Sequence, residues 1–500
     1  MSKADSSDSP LPHHRLHIAG QWREGSAGRR FDAINPYTGR VWATVAQAEI
    51  GDVSMAIAAA REAFERGWSQ VNGYERGRLM MKLADLLQGD AERMGRLEST
   101  DNGKIIRETQ VQMVLAARQY RFFAGYADKL WGQQIPLNQR DVFDYATREP
   151  FGVVGLITAW NSPMGLLANK LAPALAAGNC VVIKPSEHAS VTTLEFCRFV
   201  EAAGFPRGVV NVVCGAADVG RALVDGGVAK VSFTGTAAVG REIAAAAGRR
   251  LIPVTLELGG KSPNIIFEDA NLERAAVGAL AGIFGATGQT CVAGSRLLVQ
   301  RSVHDRILQT LVERARAVRL GDPLDPATDM GTAANEPQFR RILGFIERAR
   351  AEGARVAAGG GAARGPGLEH GFFVEPTVFA EVHNEMEIAQ QEVFGPVLAV
   401  IPFDDEEEGI RIANATPYGL AAGVWTENLS RAMRVSRALQ AGQVWVNTYR
   451  ALAVQTPFGG FKESGFGREK GQQALDEYLA TKNVMIDFSN VQRDPFAMRT

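Results

Sequence analysis

An α/β protein of more than one domain is what the sequence predicts, on three observations. Five hundred residues exceed one ordinary core, and a 46% hydrophobic fraction is enough to build two or more. From Phe151 to Leu258 short β-rich runs alternate strictly with longer helical patterns, which implies βαβ units, an open parallel sheet and helices on both faces. After Lys261 the alternation resumes as a second α/β unit.

In the first unit the strands are Val153 to Thr158, Cys180 to Lys184, Val209 to Val213, Lys230 to Phe233 and Leu251 to Leu258. Between them lie helical patterns over Met164 to Ala177, Val191 to Ala203, Ala217 to Val224 and Ala237 to Ala247. The second unit runs through strand Asn264 to Phe267, helix Leu272 to Ile283, strand Arg296 to Gln300 and helix Asp305 to Leu320. It goes on to strands at Val397 to Pro402, Leu420 to Trp425 and Gln443 to Val446. Two β-prone, partly polar stretches, Gly132 to Arg148 and Tyr478 to Phe488, fit neither unit. They are expected to leave the domains and pair as a small sheet, against another subunit.

With 54 basic and 55 acidic residues the formal net charge is −1, and no long basic run occurs, so neither nucleic acid nor an anionic membrane is indicated as a partner. The acidic run Asp404 to Glu408 reads as a solvated loop. The first twelve residues are polar and Ser/Asp-rich without an apolar core, a disordered tail rather than a signal peptide. No apolar run is long enough to span a bilayer. Four cysteines without a Cys-x-x-Cys pair or a Cys/His cluster argue for a reducing compartment, the cytoplasm, and against a metal site. His13, His14 and His17 are read as tail or loop residues.

Cys180, Cys197 and Cys214 sit in apolar or helical settings and are expected to pack in the core. Cys291 is different. It stands in Gly288-Gln289-Thr290-Cys291-Val292-Ala293-Gly294-Ser295, after an Ala/Gly-rich run, where backbone freedom and small neighbours suit a nucleophile.

Parallel sheets bind ligands at the carboxyl ends of their strands. There the polar residues gather: Trp160-Asn161-Ser162-Pro163, Lys184-Pro185-Ser186-Glu187, Thr234-Gly235-Thr236 and Glu257-Leu258-Gly259-Gly260-Lys261. The Gly-x-Gly-x-x-Gly fingerprint is absent. Gly235 and Gly240 frame a looser turn before a helix, suited to a phosphate at a helix N-terminus. Gly260-Lys261-Ser262 is no P-loop, because Thr255 stands where the first glycine is required.

These motifs, with Lys170, the Gly288 to Cys291 loop, Glu392-Val393-Phe394-Gly395-Pro396 and Pro457-Phe458-Gly459-Gly460-Phe461-Lys462, resemble in order and approximate spacing the aldehyde dehydrogenase superfamily, over nearly the whole chain past the tail. The resemblance implies oxidation of an aldehyde to a carboxylate with a nicotinamide cofactor. A Cys291 thiolate attacks the aldehyde carbon, and the Asn161 amide and the Cys291 N–H receive the oxyanion. In other enzymes removing one such donor costs about 10²–10³ in rate. Glu257, in an otherwise apolar strand and turn, is assigned as the base that activates the hydrolytic water. Lys170 resembles a family lysine near the catalytic site that assists proton relay, with a solvated helix lysine as the rival reading.

For the cofactor, Lys184, Ser186 and Glu187 resemble the loop that holds the adenosine ribose, and Trp160, Gly235, Thr236 and Gly240 the region of the adenosine and pyrophosphate. Glu392 and Phe394 resemble the residues that fix the nicotinamide. A Glu187 carboxylate repels a 2′-phosphate, favouring NAD, while a side chain that swings away admits NADP. Ser162, Asn169 and Gly285 stand where the family commonly has bulky rings. Leu166, Thr290, Val292, Arg450, Leu452 and Phe458 complete the expected wall of a wide, polar tunnel. Two readings of Arg450 stand side by side: a clamp for a carboxylate or polar group at the tunnel mouth, and an arginine that faces solvent or an adjacent subunit.

The implied fold has a cofactor-binding domain over 13–131 and 151–259, a catalytic domain over 260–475, and a bridging oligomerisation segment over 132–150 and 476–500. A homodimer or homotetramer acting on a small-molecule aldehyde is expected. The alternatives are a coenzyme-A-acylating semialdehyde dehydrogenase, against which Glu257 argues, and a catalytically silent structural or binding relative, against which Cys291, Glu257 and Asn161 together argue. A cofactor-free cysteine esterase is opposed by the cofactor motifs and by the lack of a Cys–His pairing.

Overall fold

The structure, a computed structural model, describes residues 11–489 and 496. The first 10 residues of the expected tail therefore lie outside it, as does most of the chain beyond residue 489. Pro12 is already tied down, its carbonyl accepting the Thr44 N–H at 2.9 Å.

The alternating segment forms the middle of an eight-stranded sheet. Val254–Glu257, Lys230–Thr234, Val153–Ile157, Cys180–Lys184 and Val210–Val212 lie side by side, all parallel. Helices cover both faces of a parallel sheet, which is why its central strands are apolar but for the terminal Lys184, and buried at every position in Val153–Ile157 and Cys180–Lys184. Val153–Ile157 comes first in the chain and the later strands are laid down on both sides of it, so the strand order reverses there, where such sheets take ligands.

Both edges are closed by distant segments running antiparallel. Leu16–Ile18 pairs with Val210–Val212, and Gly465–Phe466 returns to pair with Val254–Glu257, matching Leu256 with Phe466 and Glu257 with Gly465. The three N-terminal histidines are thus strand residues, not tail or loop. His13 and His17 bond Glu24 and Glu201, each at 3.0 Å, and His14 lies 3.5 Å from Glu195. Carboxylate partners drawn from the folded chain hold them.

The second unit is a seven-stranded sheet ordered Arg355–Ala358, Thr377–Ala380, Val397–Phe403, Arg296–Gln300, Pro263–Ile266, Ala421–Trp425 and Gln443–Val446, parallel except for its first pair. The acidic run differs from its reading as a loop. Asp405 caps the helix Glu406–Asn414 by accepting the Glu408 N–H, and three glutamates fill the first turn, where the helix dipole favours negative charge. Leu479–Asp487, Val142–Pro150 and Gln133–Gln134 form a separate antiparallel sheet, as their β-prone patterns predict.

Candidate active site

The nucleophile loop is delivered by the helix Leu272–Phe284 and then held in a backbone few residues adopt. Ala286, Thr287 and Gly288 have φ of 53°, 55° and 67°, a left-handed run that is costly for the two non-glycines and persists only where the surroundings enforce it. The surroundings are on hand. Glu108 accepts the Ala286 N–H at 2.9 Å, and Gln289 binds the Thr332 carbonyl and the Ala334 N–H through its amide. Gly288 lies so near Gly395 that a Cβ there would meet its carbonyl at 2.1 Å. Cys291 is half-buried, whereas Cys180, Cys197 and Cys214 are fully buried.

Glu257 ends its strand, 4% exposed, with both carboxylate oxygens buried and without a hydrogen-bond partner. Burial, and then the charge of Glu469, push its pKa well above the ordinary carboxylate value. The Cys291 thiol is pushed up to about 12 by burial and by the carboxylates of Glu392, Glu257 and Glu469. These groups therefore share one electrostatic neighbourhood. A buried carboxylate with no partner is costly unless a ligand or reacting group uses it.

Asn161, 8% exposed, donates its amide to the Gln289 carbonyl at 3.0 Å, which ties it to the Cys291 loop. Its own carbonyl accepts from the Lys104 ammonium at 2.5 Å, and Lys104 also donates to Ser162 Oγ at 2.7 Å. Gln112 bridges Lys104 to Glu98 with 2.9 Å contacts on either side, and Glu98 in turn accepts the Met164 N–H at the start of the helix Pro163–Ala176. Sequence reasoning missed this buried network. Its signal was faint: Glu98, Asp101 and Lys104 are scattered about the Gly103 turn that ends the polar helix Ala91–Asn102.

Lys170 is fully buried and not a solvated helix lysine. Its ammonium binds Glu469 Oε1 at 2.6 Å and Ser232 Oγ at 3.1 Å. Glu469, also missed, comes from the returning segment that pairs beside Glu257. The neighbouring Lys470 holds its ammonium 5.8 Å from the Phe458 ring centroid with φ 59°.

Along the sheet edge Lys184 and Glu187 form an ion pair at 3.3 Å, which outweighs burial and holds the Glu187 carboxyl below its ordinary value. Ser186 Oγ accepts the His188 N–H at 3.3 Å. Thr236 caps the helix Ala237–Arg249, and a Cβ on Gly240 would meet Leu258 at 2.6 Å. Gly235, just ahead of that cap, is packed against the Phe233 ring. Glu392 accepts the Gly260 N–H at 3.0 Å. The Trp160 ring meets Phe394 edge-on at 5.3 Å. The hydroxyls of Thr158 and Thr234, at the ends of neighbouring strands, are buried and unpartnered. Polar atoms left open along the crevice where strand order reverses fit a dinucleotide.

Of the expected tunnel residues, Ser162, Leu166, Asn169, Thr290 and Arg450 are half-buried and Leu452 is 42% exposed. Val292 and Phe458 are packed into the apolar core of the second unit, Val292 with its carbonyl on the Tyr449 hydroxyl. Among the described residues no group of three or more His, Cys, Asp or Glu is placed to hold a metal ion, and no helix is long and apolar enough to cross a membrane.

Residues 22–484 match the model of the aldehyde dehydrogenase family. The chain is 45% identical over 485 residues to cytosolic aldehyde dehydrogenase 1 of Rattus norvegicus, covering 96% of each chain. To the (Z)-2-((N-methylformamido)methylene)-5-hydroxybutyrolactone dehydrogenase of Acinetobacter baylyi it is 43% identical, over 98% of this chain and 100% of the other. The NAD+ complex of betaine aldehyde dehydrogenase from Staphylococcus aureus superposes with a TM-score of 0.95 at 39% identity, over 97% of both chains.

Proposed function

The chain belongs to the aldehyde dehydrogenase family, and we propose that it oxidises an aldehyde to the carboxylic acid with NAD, through a covalent intermediate on Cys291 that water hydrolyses. The observation that carries this reading is the pairing of a half-buried Cys291, on an enforced left-handed loop, with a buried Glu257 whose oxygens have no partner.

The fully formed thiol is the resting state, since burial and the surrounding carboxylates oppose its ionisation. Its proton must leave as sulfur attacks the aldehyde carbon, and the half-buried Cys291 loses it to solvent. The oxyanion is received by the Asn161 amide and the Cys291 N–H. Because the Asn161 carbonyl is clamped by Lys104 and its amide by Gln289, the donor is oriented before substrate arrives. When bound, NAD supplies the hydride acceptor. Lys184 and Glu187 would hold its ribose end, the helix N-terminus at Thr236 and Gly240 would receive its phosphates, and Glu392 with Phe394 would hold the other end. Glu257 then takes a proton from the water that releases the acid from Cys291. The buried Glu469–Lys170 pair bears on the Glu257 charge and stands ready to relay the proton once water or substrate bridges the gap.

The NAD+ complexes of structural neighbours and the negative Glu187 support NAD over NADP. The separate three-stranded sheet is read as an oligomer interface, and the cytoplasm as the compartment. The test is an aldehyde panel scored by NADH formation together with intact mass of the Glu257→Gln variant. An acyl adduct on that variant, one per chain, is expected, and its absence under conditions where the unsubstituted enzyme turns over rejects the assignment.

A further inference from the structure

Gly285 closes the helix that leads to the nucleophile loop, and the space a side chain would take there is occupied. A Cβ on Gly285 would lie 2.0 Å from Arg450 Nη1. Arg450 reaches this position from a left-handed backbone, φ 59°, and its guanidinium makes one hydrogen bond among the described residues, to the Ala281 carbonyl at 3.1 Å. Its other N–H donors are open. Across Gly285 stands Glu108. One of its oxygens accepts the Ala286 N–H, and the other is buried with no partner. The two side chains form no ion pair with each other or with any third group among the described residues, although both bear electrostatically on Lys104.

Lys104 joins this recess to the oxyanion amide, since its ammonium holds both the Asn161 carbonyl and the Ser162 hydroxyl. Ser162, Leu166 and Asn169 then share one face at the start of the helix Pro163–Ala176, by their spacing of four and three. The recess thus carries two fixed cations, one open carboxylate oxygen and short polar side chains, and Ser162, Asn169 and Gly285 bring no ring to it. An aromatic cage is what quaternary ammonium groups require.

We propose that this recess is the subsite for the far end of the substrate, and that it takes an aldehyde ending in a carboxylate on the Arg450 guanidinium, with Glu108 accepting from a neighbouring hydroxyl or N–H. A guanidinium with free donors recognises a planar carboxylate in bidentate fashion, which an alkyl or ammonium terminus cannot reproduce. The proposal rests on the aldehyde-oxidation reading above and names its substrate class.

The experiment compares kcat/KM for succinic, glutaric and adipic semialdehydes with the straight alkanal of the same length, and with betaine aldehyde as the cationic probe. At the matching length the semialdehyde is expected to be preferred by about ten- to a hundredfold, the value of a hydrogen bond to a charged group. Betaine aldehyde should be the poorest of the set. Arg450→Leu should erase most of that ratio through KM, and Gly285→Ala should lower it as well, because the new methyl displaces the guanidinium. If Arg450→Leu does not fold, the unsubstituted enzyme and Gly285→Ala still decide. Equal efficiency on semialdehydes and alkanals, or a preference for betaine aldehyde, overturns the subsite while leaving aldehyde oxidation standing. NADH formation from none of the panel overturns both.

Discussion

Cys291 and Glu257 meet the same conflict, because burial and neighbouring carboxylates favour the protonated form of each while the proposed reaction needs each ionised. Both pKa values are raised in the folded enzyme, so the reactive fraction grows as protons are withdrawn, and kcat/KM is expected to climb through neutral pH into the alkaline range. A profile flat from pH 6 to 9 would place the essential ionisation elsewhere. Cys291→Ala should abolish oxidation and leave NAD affinity nearly intact, as isothermal titration would show, since the residues expected at the ribose and phosphates lie on the other sheet. A tenth of the original turnover would exclude a thiohemiacetal on this residue. Asn161→Ala should lower kcat by about 10²–10³, and Lys104→Met should follow it in kcat more than in KM, with Lys104→Arg a partial rescue. Equal loss in both variants of Lys104 accompanied by unfolding would reduce that lysine to a packing role. Cys291, Asn161 and Glu257 were legible because each breaks the pattern of its own segment. Lys104 and Glu469 were not, because their meaning comes from partners 57 and 299 residues away.

Strands of the central sheet were readable to within a residue or two wherever both faces are buried, since an apolar run bounded by glycine or proline has few other fates. Leu251 to Leu258 is instructive where it departs. The strand begins only at Val254, because Leu251 turns out of the preceding helix at φ 55° and is 92% exposed. The helix expected over Asp305 to Leu320 stops at Arg316, and Arg319 is drawn to Asp329, a partner no local pattern announces. The short edge strands Leu16–Ile18 and Gly465–Phe466 escaped notice for the same reason, being defined by what they pair with. Among loops, the contact of Gly288 with Gly395 ties the nucleophile to the Glu392 segment. Gly288→Ala combines a left-handed φ of 67° with a backbone clash at 2.1 Å, so it should lower the melting temperature and depress kcat together. A fully active, equally stable variant would show that the two loops move independently.

The small sheet gives the whole molecule an unfinished face. Leu479–Asp487 forms one edge of that sheet, paired along its length with Val142–Pro150, and its outer positions carry Met485 at 62% and Ile486 at 48% exposure. Phe143 and Phe488 add 45% and 61% nearby. A long edge strand with open N–H and C=O groups and exposed apolar side chains is a template for another chain, and monomeric proteins blunt such edges. Lys482 and Asn483 on the same strand are occupied by Glu149 and Asp144 of the neighbouring strand, which leaves the apolar residues as its outward character. A second copy that paired with this edge would cover them on both faces of the sheet, and the Asn179 amide, donating to the Tyr478 carbonyl, anchors the sheet to the first core at its root. Substituting Met485 and Ile486 together by Glu should therefore yield a folded monomer with its circular dichroism retained, seen as a fall in mass by size-exclusion chromatography with light scattering. An unchanged oligomer in that double variant, or a monomeric parent enzyme, would remove the sheet from the interface and leave its apolar edge without this explanation.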